Sequence, residues 1–129
     1  PRGGLIAAWI ALEDISEENG PLHYYPGSHK LPYIDNVDFG NQGNALILGG
    51  KPYAAYTKVV IDRIDKAGLE KKIFTPKKGD MFIWHANLLH GGEPIGDPSS
   101  TRKSMVLHYF SPDHICYHEI SQRPALRML

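Results

Sequence analysis

Leu5 to Leu12 reads LIAAWIAL, eight residues that are apolar on both faces and close on Glu13-Asp14. A fully buried helix is usually longer, whereas a strand covered on both faces has this length and pattern. The segment therefore predicts a strand inside a layered β structure. Beyond it the chain is broken by turns. Asn19-Gly20 is a turn, Leu22 to Tyr25 a short strand, and Pro26-Gly27-Ser28-His29 a second turn. Residues 31 to 43 read as an irregular loop, and Ala45 to Leu48 as a short apolar run closed by Gly49-Gly50. Tyr53 to Ile61 carries Tyr, Thr and Val in a pattern that predicts a strand or a broken one. Ile64 to Leu69 holds one helical turn. Lys72 to Phe74 and Met81 to Trp84 read as strands around a turn at Pro76 to Asp80, and Leu88 to Pro98 as a Gly- and Pro-rich loop. Lys103 to Phe110 is the clearest later strand, ended by Pro112. Residues 113–129 form a tail or a short helix. Many short strands without alternating helices predict an all-β barrel or sandwich and exclude a doubly wound nucleotide fold.

At 129 residues the chain has room for one domain, 1–129, and not two. Its 42% hydrophobic and 22% charged residues are those of a globular protein rather than a disordered tail. The 14 basic residues are balanced by 14 acidic ones, which gives no support to nucleic-acid binding. Lys71, Lys72, Lys77 and Lys78 read as a solvated hairpin rim. One cysteine, Cys116, excludes an intrachain disulfide and a cysteine metal cluster, and fits a cytoplasmic location. No apolar run approaches the roughly 18 residues of a membrane span.

Three residues stand out chemically. His90 follows the strand ending near His85, on a tight loop bounded by Gly91-Gly92. A histidine held at the mouth of a β barrel offers one imidazole lone pair to a cation such as iron; read alone, it is a loop histidine. Arg102 heads RKSMVLHYF, where Arg102, Ser104, Val106 and His108 share one strand face. An arginine fixed there grips a dicarboxylate by its fork, with the Ser104 hydroxyl nearby; the commoner alternative is a barrel-edge pair with a surface carboxylate. Trp9 shares a face with Leu5, Ala7 and Ala11, whose small side chains leave room for a flat ligand or simply seat a core indole.

Together these blocks resemble the phytanoyl-CoA dioxygenase family. Trp9-Ile10-Ala11-Leu12-Glu13-Asp14, Asn19-Gly20-Pro21-Leu22 and Pro26-Gly27-Ser28-His29-Lys30 resemble its central block. Gly79-Asp80, His90-Gly91-Gly92 and Arg102 resemble its C-terminal block, so the chain reads as the C-terminal part of the domain, over about Leu5 to Phe110. The resemblance implies a double-stranded β-helix, a cupin-like jelly roll, that uses Fe(II), 2-oxoglutarate and dioxygen to hydroxylate an unactivated C–H bond of a small organic substrate. It implies that His90 is the distal iron ligand, that Arg102 binds the far carboxylate of 2-oxoglutarate, and that Trp9 lines the cosubstrate pocket. Asn19, Gly20 and the Pro26–His29 turn are implied as architecture. Gly92 stands where some members carry a hydroxyl, which implies that this contact is either absent or moved to Ser104.

One departure matters. The family's iron site also needs a His-x-Asp pair, placed by its spacing before Trp9, and no His-x-Asp or His-x-Glu occurs in these residues. His85-Ala86-Asn87 has the spacing but offers an amide. Pro1-Arg2-Gly3-Gly4 runs almost directly into the first strand, with no initiator methionine and no signal-peptide pattern. Residues are therefore expected upstream, the jelly roll is expected to be incomplete at its N-terminus, and the fragment alone is expected to be inactive. Open strand edges predict a homo-oligomer or strand exchange. Two other readings stand beside the oxygenase: a metal-free jelly roll that binds a ligand or protein, and a cupin-like isomerase or sugar-binding domain.

Overall fold

The computed structural model describes residues 4–41 and 53–111. The Ala45–Leu48 run and the 113–129 tail lie outside the described residues. Strands β1 (Leu5–Ala11), β4 (Met81–His85) and β6 (Ser104–Phe110) form one antiparallel sheet in the order β4-β1-β6. Strands β2 (Leu22–Tyr24), β3 (Lys72–Phe74) and β5 (His90–Gly92) form the other, in the order β3-β2-β5. Helix α1 (Tyr53–Lys66) lies between β2 and β3 in the chain.

Period-two alternation sets the inner faces. In the register of the first sheet, Ala7 sits between Trp84 and His108, and Trp9 between Phe82 and Val106. In the second, Leu22 sits between Phe74 and Gly92, and Tyr24 between Lys72 and His90. The two faces meet in a core of Ala7, Trp9, Ala11, Ile15, Leu22 and Trp84, with Phe74, Phe82 and Leu88 packed against it. This is the two-layered jelly roll that the family resemblance implies and the all-β pattern fits, with one α-helix among the described residues. No helix among the described residues is long and apolar enough to cross a membrane.

Three expectations need correction. Tyr53–Ile61 is not a strand but the first part of α1. Its half-buried Tyr56, Val59, Val60 and Arg63 and buried Ile64 recur at the helical three-to-four spacing, while strand alternation would have buried Tyr53 and Ile61, which are exposed. The helix ends in a Schellman pattern: Gly68, at φ 61, bonds back to Asp65, and Leu69 N–H donates to the Ile64 carbonyl at 3.2 Å. Second, the Leu88–Pro98 segment is not loop throughout, because His90–Gly92 pairs with β2. Third, β1 is covered only in part on its outer face, where Ala8 is buried and Ile10 half-buried. Ala7, Trp9 and Ala11 are buried, but Ile6 on the outer face is 46% exposed.

Candidate active site

His90 opens β5 rather than sitting on a loop, and its side chain faces the interior. Its ring lies 4.8 Å from that of Trp84, at the end of a series of aromatic contacts. Trp84 meets Phe82 at 5.2 Å, Phe82 meets Phe74 at 5.0 Å, and Phe74 meets Trp9 edge-on at 6.2 Å. Nδ1 of His90 is 2.8 Å from the carbonyl oxygen of Leu88. A carbonyl only accepts, so Nδ1 carries a proton, and a ring in its neutral form keeps its lone pair on Nε2.

Arg102 sits just before β6. Its Nη1 donates to the Gly20 carbonyl. The guanidinium passes over Gly92, where an added Cβ would come within 3.0 Å of Nη1. Gly92 and His90 are two apart on β5 and point to the same face. The fold thus brings the Arg102 guanidinium and the His90 imidazole onto one side of β5, and both residues are exposed enough to meet a ligand. Ser104 is half-buried on the inner face opposite Ala11. Trp9 is 4% exposed and belongs to the core that backs this face.

The surrounding turns hold these residues. Asn19 accepts from the Ser16 N–H at 2.8 Å and donates to the Thr101 carbonyl at 3.0 Å, tying the first turn to the segment that carries Arg102. Glu13 accepts from the Lys103 N–H at 2.6 Å and from the Thr101 hydroxyl at 2.8 Å. The Lys103 N–H, then the Thr101 hydroxyl, holds the Glu13 carboxyl below the ordinary glutamate range. On the outer face of β5, the His23 ring lies over Gly91, where a Cβ would fall 2.8 Å from it. Glu93 Oε1 receives Lys71 Nζ at 2.9 Å, and this bond is the main cause of its lowered pKa. His23 Nδ1 is 2.7 Å from the same oxygen, but that buried nitrogen makes no well-aligned hydrogen bond, so the contact is electrostatic.

Two participants carry no functional signal in the sequence. Tyr24 is opposite His90 in register, its ring 4.8 Å from Phe82, and Trp84 packs directly on the His90 ring. Alternation in Leu22-His23-Tyr24 marks Tyr24 as inward-facing, but its pairing with residue 90 is not visible locally. As for iron, the donor chemistry fits one ligand of a set. His90 presents a free Nε2, and no group of three His, Cys, Asp or Glu among the described residues is placed to hold a metal.

Comparison with known proteins agrees with this architecture. The family model for phytanoyl-CoA dioxygenase (PhyH) matches residues 1–103. The matched domain therefore lies toward the N-terminal end of this chain, a placement to set against the expected C-terminal part of the domain. Phytanoyl-CoA dioxygenase domain-containing protein 1 of Danio rerio is 31% identical over 97 residues, 70% of this chain and 28% of that protein. The peroxisomal phytanoyl-CoA dioxygenase of Homo sapiens is 29% identical over 115 residues, 88% of this chain and 30% of that protein. The chain thus spans less than a third of the length of either relative. Among solved structures, the non-heme alpha ketoglutarate dependent carbocyclase SnoK of nogalamycin biosynthesis superposes with a TM-score of 0.52 at 19% identity, over 84% of this chain and 35% of that one, which shows a shared fold. The chain belongs to the phytanoyl-CoA dioxygenase (PhyH) family.

Proposed function

We propose that this chain contributes to an Fe(II)- and 2-oxoglutarate-dependent dioxygenase that hydroxylates an unactivated C–H bond of a small organic substrate. The observation that carries the reading is the pairing on β5. A histidine with its Nε2 lone pair free stands on β5, and an arginine fork from the segment before β6 lies over Gly92, two residues further along the same face of that strand. One suits a borderline cation and the other a carboxylate.

In this reading His90 Nε2 is one iron ligand, and a His-x-Asp pair from outside these 129 residues supplies the others. Arg102 neutralises the far carboxylate of 2-oxoglutarate, using guanidinium N–H groups beyond the one held by Gly20. Ser104 adds a hydroxyl at the same end. Trp84 holds the His90 ring, and the Trp9–Phe74–Phe82 contacts keep water from the back of the site. Iron with bound 2-oxoglutarate and dioxygen supplies the oxidising power, coupled to loss of carbon dioxide and formation of succinate. The same proposal includes an assembly, by homo-oligomer or strand exchange, that covers the exposed outer face of the first sheet.

The test is 2-oxoglutarate binding and succinate release in protein that carries both halves of the iron site. Arg102→Ala is expected to weaken 2-oxoglutarate binding about 10- to 150-fold, the effect of losing one or more hydrogen bonds to a charged group worth roughly 1.5–3 kcal/mol. His90→Ala is expected to abolish succinate release. Binding unaffected by Arg102→Ala removes that residue from the role. Binding without any succinate release favours a ligand-binding jelly roll over the enzyme.

A further inference from the structure

Ser28 reaches His90 through a single peptide group. The His90 Nδ1 proton goes to the Leu88 carbonyl at 2.8 Å. That carbonyl belongs to the same planar peptide as the Leu89 N–H. The Leu89 N–H in turn donates to Ser28 Oγ at 2.9 Å. Ser28 is 2% exposed, so its hydroxyl is a fixed acceptor rather than a surface rotor. The turn that presents it is itself rigid. Gly27 has φ 85, which a side chain would resist, and Ser28 N–H donates to the Tyr25 carbonyl at 3.1 Å. The same turn also grips the next carbonyl, since Tyr25 N–H donates to Leu89 O at 3.0 Å.

We infer that Ser28 is a positioning residue that selects the tautomer of His90. Accepting the Leu89 N–H fixes the plane of the 88–89 peptide, so its carbonyl faces the imidazole, and polarises that carbonyl as an acceptor. The ring then keeps its proton on Nδ1 and presents a lone pair on Nε2. Without the hydroxyl, the part-buried N–H loses its partner. The peptide turns to find one, and its carbonyl leaves His90. Histidine free in water favours the proton on Nε2, so the released ring points a proton where a metal needs an electron pair. This deepens the reading of His90 as a ligand and rests on it for its consequence, not for the hydrogen-bond coupling itself.

The experiment is long-range ring 15N–1H correlation of the metal-free protein at about pH 8, with His90 assigned from its loss in His90→Gln. Wild type is expected to show Nδ1–H at His90. Ser28→Ala is expected to shift the ring to Nε2–H, and Ser28→Thr, which keeps the hydroxyl, to retain Nδ1–H. If Ser28→Ala fails to fold, Ser28→Cys preserves the volume with a weakly accepting sulfur and carries the same expectation as the alanine. A folded Ser28→Ala or Ser28→Cys protein that keeps Nδ1–H overturns the inference, as does Nε2–H in wild type. Adding Co(II) to protein that carries both halves of the iron site separates the two claims. In wild type it is expected to perturb Nε2 of His90, and Ser28→Ala is expected to weaken that binding about 10- to 100-fold. A tautomer that follows Ser28 while Co(II) leaves His90 untouched upholds the coupling and removes the ligand role.

Discussion

At the scale of single residues, two glycines divide the work around the site, and their substitutions should separate. Gly20 has φ 70, and a Cβ there would lie 2.9 Å from the Glu93 carbonyl oxygen. Neither the backbone angle nor that oxygen yields easily, so Gly20→Ala is expected to destabilise the fold by about 2–4 kcal/mol, combining left-handed strain with overpacking. Gly92 is the opposite case. Its Cβ would meet only the far end of Arg102, at 3.0 Å from Nη1. Gly92→Ala should cost stability only about 0.5 kcal/mol. It should displace the guanidinium and weaken 2-oxoglutarate binding about 3- to 10-fold, the scale of one lost hydrogen bond. Chemical denaturation and ligand titration of the two variants check the contrast. In the sequence, Gly91-Gly92 signals close approach, but not of what. The approaching groups, His23 and Arg102, reach β5 from other elements, and side-chain contacts of that kind leave no local pattern.

At the scale of elements, legibility follows the length and regularity of the pattern. β1 and β6 are seven residues each, and their alternating faces are readable from the chain. β5 is three residues, two of them glycine, and its strand character comes from pairing with β2 rather than from propensity. The sequence of α1 reads as strand because Val, Thr and Tyr favour strands locally, while a helical stripe with one buried residue, Ile64, decides the outcome. The joint between β1 and β6 carries a pH signature. Glu13 clamps Lys103 and Thr101 on either side of Arg102, and its folded pKa is lowered from the ordinary 4.5, chiefly by the Lys103 N–H. A lowered carboxylate contributes stability above its unfolded pKa and loses it as pH falls through the folded value. The protection of the Lys103 amide, taken relative to its intrinsic exchange rate at each pH, should therefore hold at neutral pH and begin to fall as pH drops below 4.5, with its midpoint lower still. In Glu13→Gln that pH dependence should vanish. Amide exchange measured against pH decides the matter.

At the scale of the whole molecule, the first sheet buries Ala7, Trp9, Ala11 and Trp84 on its inner face, while among the described residues much of its outer face stays exposed. Across the outer face the register lines up His85, Ile6 and Tyr109, then Ile83, Ala8 and Leu107, then Met81, Ile10 and Met105. Ile6, Met81, Ile83 and Tyr109 are each about half exposed, at 46%, 50%, 59% and 55%. Folded monomers rarely leave so continuous an apolar surface uncovered, because water contact with it is unfavourable and any matching surface removes that contact. The 129-residue chain on its own should therefore self-associate, sedimenting well above its 14.4 kDa monomer mass at micromolar concentration. Placing lysine at the centre of the face, as Ile83→Lys with Leu107→Lys, should drive it back toward the monomer, since paired like charges cannot be buried there. The change is confined to the outer face. The Nδ1–H signal of His90 should persist in the double variant, which tells loss of association from loss of fold. A wild-type chain that sediments as a stable monomer would show that this face does not drive self-association.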